Sequence, residues 1–178
     1  SFGNWKFDGD AKGNYQENEY NDEGQVIGLK TTPYSYALDG LFVGDMPQTA
    51  YVMGATLTPI KGLRLQGILK MYDKNYSDWS PNAREYDGSD ADADRSQVWQ
   101  APGYNRLDLH GSYKLPKIGG LDMSINAHVF NALDAVYVQD AVDNSQYNGF
   151  GDKLHLPHNA EVFLGTPRYA NIGLVVNF

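Results

Sequence analysis

Six runs of this chain alternate apolar and polar residues with a period of two, and the connections between those runs alternate between long and short. Residues 63–76 set Leu63, Leu65, Gly67, Leu69 and Met71 against Arg64, Gln66, Ile68, Lys70 and Tyr72. Residues 104–115 oppose Leu107, Leu109, Gly111 and Tyr113 to Arg106, Asp108, His110 and Ser112, and residues 121–138 oppose Met123, Ile125, Ala127 and Val129 to Asp122, Ser124, Asn126, His128 and Phe130. The remaining runs are 4–15, 49–58 and 168–178, and no segment keeps a helical stripe for three turns. The pattern predicts an all-β chain of antiparallel strands. Short turns fall at 59–62 and 116–120, whereas polar stretches fill 16–48, 77–103 and 139–166. In a meander, that order puts every short turn at one end of the sheet and every long loop at the other. Outer-membrane barrels have this layout, with strands of about 9–11 residues.

Composition excludes several alternatives. The 178 residues contain no cysteine, which removes disulfide frameworks, thiolate catalysis and cysteine-bound zinc. A net charge of -8 and a pI of about 4.8 leave no clustered basic field for nucleic acid. Mean hydropathy is -0.50, and no run approaches the about 18 apolar residues of a spanning helix. Alternating membrane strands average to such a value, so a β-barrel stays open. The apolar face predicted here carries small residues, Gly9, Gly67 and Gly111, where a sandwich core would use interlocking bulk. Its rings fall near strand ends: Trp5, Tyr113 and Phe178 toward the short turns, Tyr51 and Tyr137 toward the long loops, as two interfacial belts would.

Three segments then resemble one family. Ala101-Pro102-Gly103-Tyr104 leading to Asp108-Leu109 and Tyr113, Phe130-Asn131-Ala132-Leu133-Asp134 leading to Tyr137, and Gly165-Thr166-Pro167-Arg168 before a final strand ending in Phe178 are similar to the carboxy-terminal part of TonB-dependent outer-membrane receptors, in the same order. Ala132-Leu133 departs from the family's usual Leu-Phe. The resemblance spans residues 1–178 and implies about the last six strands of a barrel of about 22, with the plug domain and earlier strands supplied elsewhere in the same or a separate chain. It implies a bacterial outer-membrane location, active import of a bulky nutrient, and an energy-transducing TonB-type partner engaged through an amino-terminal part. A surface substrate-binding lipoprotein and outer-membrane lipid are further partners it suggests. Phe178, preceded in alternation by Val176, Leu174 and Ile172, would serve as the assembly signal.

On this reading Arg64, Lys70, Arg106, Asp108, His110 and His128 face the lumen or the plug, and both free edges, Trp5–Ala11 and Ile172–Phe178, pair with further barrel strands. Leu109→Arg is expected to impair barrel formation, and Asp108→Asn to be milder. Trp79, Trp99, Tyr147 and Phe150 are the candidate ligand-binding rings, because aromatic faces beside amides and carboxylates stack on sugars. The same rings can instead pack the loops. Glycan is favoured slightly, with siderophore and cobalamin-like ligands open. The acidic run Asp87–Asp94 lacks the glycine and glutamate of an EF-hand and reads as a solvated loop, and His155 and His158 do not make a convincing metal pair. No nucleophile elbow or phosphate loop is present, so neither an enzyme nor a cofactor is expected. The competing functions are a structural or adhesive outer-membrane barrel and a soluble β-sandwich binding module.

Overall fold

The computed structural model describes residues 1–117, 119–147 and 154–177. It is all-β, with antiparallel sheets. The strands are β1 (Ala11–Tyr20), β2 (Val26–Tyr36), β3 (Pro47–Ile60), β4 (Leu63–Tyr76), β5 (Gln100–Ala101), β6 (Tyr104–Lys114), β7 (Asp122–Phe130), β8 (Val138–Asp143), β9 (Ala160–Leu164) and β10 (Tyr169–Asn177). The main sheet runs β10-β7-β6-β4-β3, with β5 extending along β4, while β1-β2 and β8-β9 form separate hairpins. The sheet is open: β10 and β3 end its path.

Register explains why the sequence alternates. Leu57, Leu65, Gly111, Ala127 and Ile172 are successive partners across the sheet, and Ala55, Gly67, Leu109, Val129 and Ala170 form the next row. Because paired residues share a face and the face changes at every residue, these rows build one continuous apolar surface. Gln66, His110, His128 and Asn171 pair in a row on the opposite face, which also holds Arg64, Lys70, Arg106 and Asp108.

Nothing among the described residues covers the apolar surface. Leu65 and Leu109 are each 42% exposed, Leu57 is 65% and Ile172 is 77%. The buried apolar cluster among the described residues lies off the sheet, in the long connections, where Leu38, Leu41, Trp79 and Val98 pack with Phe7 and Tyr76 against them.

The two short turns share one end, since Leu63 pairs with Tyr113 and the Lys114 amide donates to the Gly62 carbonyl at 2.8 Å. The long connections share the other end and are hydrogen-bonded together: the Ala37 amide donates to the Arg84 carbonyl, the Ser77 amide to that of Trp99, and the Asp78 amide to that of Ala141. The predicted asymmetry therefore holds.

The loops are richer than their sequence suggested. Residues 4–15 are not one strand: Lys6 makes a single bridge to Phe42, and the carboxylate of Asp10 turns away to accept the amides of Leu38 and Asp39. The strand starts at Ala11 and pairs with β2 inside the stretch read as polar loop. Its turn is specified locally, for Asn21 accepts the amides of Glu23 and Gln25 and Gly24 takes the left-handed φ of 76°. Residues 121–138 are likewise broken: β7 ends at Phe130 because Asn131 and Asp134 adopt φ of 49° and 55°, and β8 follows separately. Two ring placements also change. Trp5 lies at the long-loop end, its carbonyl accepting the Val43 amide, and Tyr137 is buried against the polar face.

Candidate functional site

The polar face has two parts. Near the long-loop end, Asp108 on β6 is the centre of a buried charge cluster. It accepts from Lys70 Nζ on β4 at 2.9 Å, from Arg106 Nη2 at 3.5 Å and from the Asn131 amide at 3.0 Å. Arg106 Nη1 also donates to Tyr137 Oη at 3.3 Å, and Tyr137 stacks on Tyr104 at 4.2 Å between centroids, with Tyr72 beyond it at 5.1 Å. Cross-strand register brings these groups together, because Lys70 faces Arg106 and Tyr72 faces Tyr104.

The three segments that resemble receptor motifs meet here. The Asn131 side-chain amide donates to the carbonyls of Ala135 and Thr166, while its oxygen accepts the Ala135 amide. Asp134 accepts the Arg168 amide, the Ala132 amide donates to the Leu107 carbonyl, and the Gly165 amide donates to the Tyr137 carbonyl. Residues separated by more than 30 positions thus close a single corner where β7 leaves the sheet and β10 enters it. Glycine at 165 follows from that closure, since a Cβ there would overlap the Tyr137 ring. Gly165→Ala should displace Tyr137 from Tyr104 and cost about 1–3 kcal/mol, as overpacking does. Thermal unfolding with the tyrosine near-ultraviolet signal would measure it, and an unchanged signal would contradict the contact.

The structure gives the expectation for Asp108 a magnitude. Its side chain is 2% exposed and neutralises two cations, so Asn would leave Lys70 and Arg106 facing each other with a weaker acceptor. Asp108→Asn should lower stability by about 1–3 kcal/mol, the range for hydrogen bonds to charged groups. Denaturant titration beside the wild type is the check.

Toward the short-turn end the same face opens into a hollow of about 660 Å³, lined by Arg64, Gln66, His110, Ser112, Asn126, His128, Phe130 and Asn171. His110 and His128 are register partners with Nδ1 atoms 2.8 Å apart, and Phe130 stacks on Tyr169 at its rim. All six residues expected on the lumen side therefore share one face, divided between the charge cluster and the hollow.

The long-loop assembly forms a third constellation. Asp10 accepts both Nη1 and Nη2 of Arg95 at 2.7 and 2.8 Å and Tyr86 Oη at 2.8 Å; the Arg95 hydrogen bonds hold this carboxyl far below the usual carboxylate range. Deeper in, His155 is buried between two carboxylates, with Nδ1 2.5 Å from Asp143 Oδ2 and Nε2 2.7 Å from Asp94 Oδ2. Arg84, fully buried, pairs with Asp94 at 2.9 Å and lies over the Trp79 ring. Asp94 is thus not part of a solvated acidic run. It is an internal ion-pair partner, a role the sequence did not signal.

The candidate ligand rings separate. Trp79 is 7% exposed, edge-on to Phe7, and its indole N–H donates to the Phe42 carbonyl. Trp99 is half-buried and Tyr147 is 77% exposed, whereas Phe150 and Phe178 lie outside the described residues. No group of three or more metal-ligating side chains occurs among the described residues. No family model, curated protein or solved structure matches this chain.

Proposed function

We propose that this chain is the carboxy-terminal barrel portion of a TonB-dependent outer-membrane receptor that imports a bulky nutrient. One observation carries the reading: a single antiparallel sheet presents a continuous apolar face that no protein layer covers, while its opposite face is charged and the only buried apolar cluster among the described residues sits in the loops. A contiguous exposed apolar face rimmed by polar residues marks a membrane or partner surface. Against lipid it is the expected outer surface, and the polar face becomes the lumen wall. In hydrocarbon an open sheet edge costs several kcal/mol per unpaired group, so β10 and the opposite edge pair with further barrel strands. The convergence of the three motif segments at Asp108, Asn131 and Tyr137 supports the family assignment, because it gives each motif residue a structural task.

Tyr147, exposed on the loop side, and a glycan ligand are the favoured recognition elements. The test uses cells carrying the intact polypeptide and fluorescent oligosaccharides of increasing size, with ferric siderophores in parallel. Surface binding that survives a protonophore, together with accumulation that does not, is expected. Binding without any energised accumulation would indicate an adhesive barrel and overturn the import reading.

A further inference from the structure

We propose that His110 and His128 form a divalent copper or nickel site in the wall of the hollow on the polar face. The two histidines stand directly opposite each other on β6 and β7, and their Nδ1 atoms approach to 2.8 Å. Without metal, that distance is a hydrogen bond in which one neutral ring donates and the other accepts. With metal–nitrogen bonds of about 2.0–2.1 Å, the same separation subtends roughly 85–90° at an inserted ion. That is the cis angle of a square-planar or tetragonal centre, the geometry of Cu²⁺ and Ni²⁺ with nitrogen ligands, and it is too narrow for tetrahedral Zn²⁺. The strands need not move, because the sheet register already holds the rings together and only a rotation of each ring is required to turn its lone pair toward a shared ion. The hollow supplies the room: about 660 Å³ lies in front of the pair. No third histidine or carboxylate joins them among the described residues, so the remaining positions are open to water or to an incoming ligand. Arg64 lines the same hollow and favours an anionic oxygen donor in those positions. The site would form by a tautomer change in the donor ring, its proton moving from Nδ1 to Nε2 through solvent, so that both neutral rings present an Nδ1 lone pair to the ion with no net proton release and no redox step. It stands independently of the import reading, since it needs only the sheet and its register.

The experiment titrates Cu²⁺ into the intact protein, free of any histidine tag, in detergent, and reads binding by electron paramagnetic resonance and calorimetry. An axial spectrum with hyperfine coupling to two equivalent nitrogens at one ion per chain is expected. His110→Gln and His128→Gln should each weaken binding by about tenfold or more, the double variant more than either single one, and Zn²⁺ should compete poorly. His158→Gln should leave the spectrum unchanged. Circular dichroism beside the wild type establishes that the variants fold, and the wild-type spectrum tests the geometry without any variant. A spectrum with one nitrogen or none, or equal binding by wild type and His110→Gln, would overturn the site.

Discussion

His155→Leu will unfasten the loop assembly, with an expected loss of about 3–5 kcal/mol, the range for breaking a buried ion pair from one side. The histidine is 3% exposed and joins two segments distant in sequence, Asp94 from the connection between β4 and β5 and Asp143 from the end of β8. Asp143 also accepts both the amide and the hydroxyl of Ser145. Removing the imidazole leaves the buried Asp143 and the half-buried Asp94 carboxylates with Arg84 as the nearest cation, and Arg84 Nε and Nη2 already lack partners. The sign of the pH dependence follows from the same contacts. Burial pushes His155 down, but its bonds to Asp143 and Asp94 outweigh this and hold it above its ordinary value of 6.5. Its contribution is therefore complete below 6.5 and is lost as pH rises through the higher folded value. Burial pushes Asp94 and Asp143 up, but the His155 hydrogen bonds, with Ser145 and Arg84 assisting, leave both below their ordinary 3.8. Their contribution is complete above 3.8 and is lost as pH falls through the lower folded values. The loops should thus be tightest in mildly acidic solution and loosen above neutrality. Hydrogen-exchange protection over residues 77–99 and 138–147 at pH 5 and pH 8 would show it. Protection that is equal at both values, or unaffected by His155→Leu, would contradict the clamp.

Leu109→Arg tests the other end of the account. Leu109 lies mid-strand in the row Ala55, Gly67, Val129 and Ala170, at the centre of the bare face. If lipid covers that face, an arginine at the midplane costs about 2–4 kcal/mol and the barrel should assemble poorly. If water covered it, the same change would fall within about 0.5 kcal/mol of neutral. The two environments differ in the size of the effect and in its consequence for assembly, so heat-resistant folding of the variant, followed on gels, separates them. Normal folding of Leu109→Arg would count against a lipid-facing surface.

The main sheet was legible because period-two alternation is a direct image of the pleat: where one strand face is apolar throughout, register has one solution, and Leu65, Leu107, Ile125 and Ile172 fall on the expected side. The loops were not legible for the opposite reason. β1 is polar on both faces, and β2 places Val26, Ile27 and Leu29 on both of its faces ahead of a polar half, so no alternation marks the pair, and only the Asn21–Gln25 turn chemistry signalled a hairpin. The break after Phe130 rests on left-handed Asn131, which propensity tolerates without requiring. Tyr137 was assigned to the apolar face by continuing the phase of β7 past that break, where the phase no longer applies. The His155 clamp had no local signal at all, because its members are 61 and 12 positions apart and only the packed loops bring them together. Trp79 likewise looked like a ligand platform by residue type, whereas its burial depends on Leu38, Leu41 and Val98 from two other segments.

The central claim is that one face of the sheet meets lipid and the other does not. The chain contains no cysteine, so single cysteines can be placed at 106, 107, 108, 109 and 110 of the intact protein and spin-labelled in bilayers. Collision rates with oxygen, which concentrates in hydrocarbon, and with a water-soluble nickel chelate should alternate with a period of two. Positions 107 and 109 are predicted to be oxygen-accessible and shielded from the chelate, with 106, 108 and 110 shielded from lipid-borne oxygen. Equal access of the nickel chelate to 107 and 109 and to their neighbours would contradict the account.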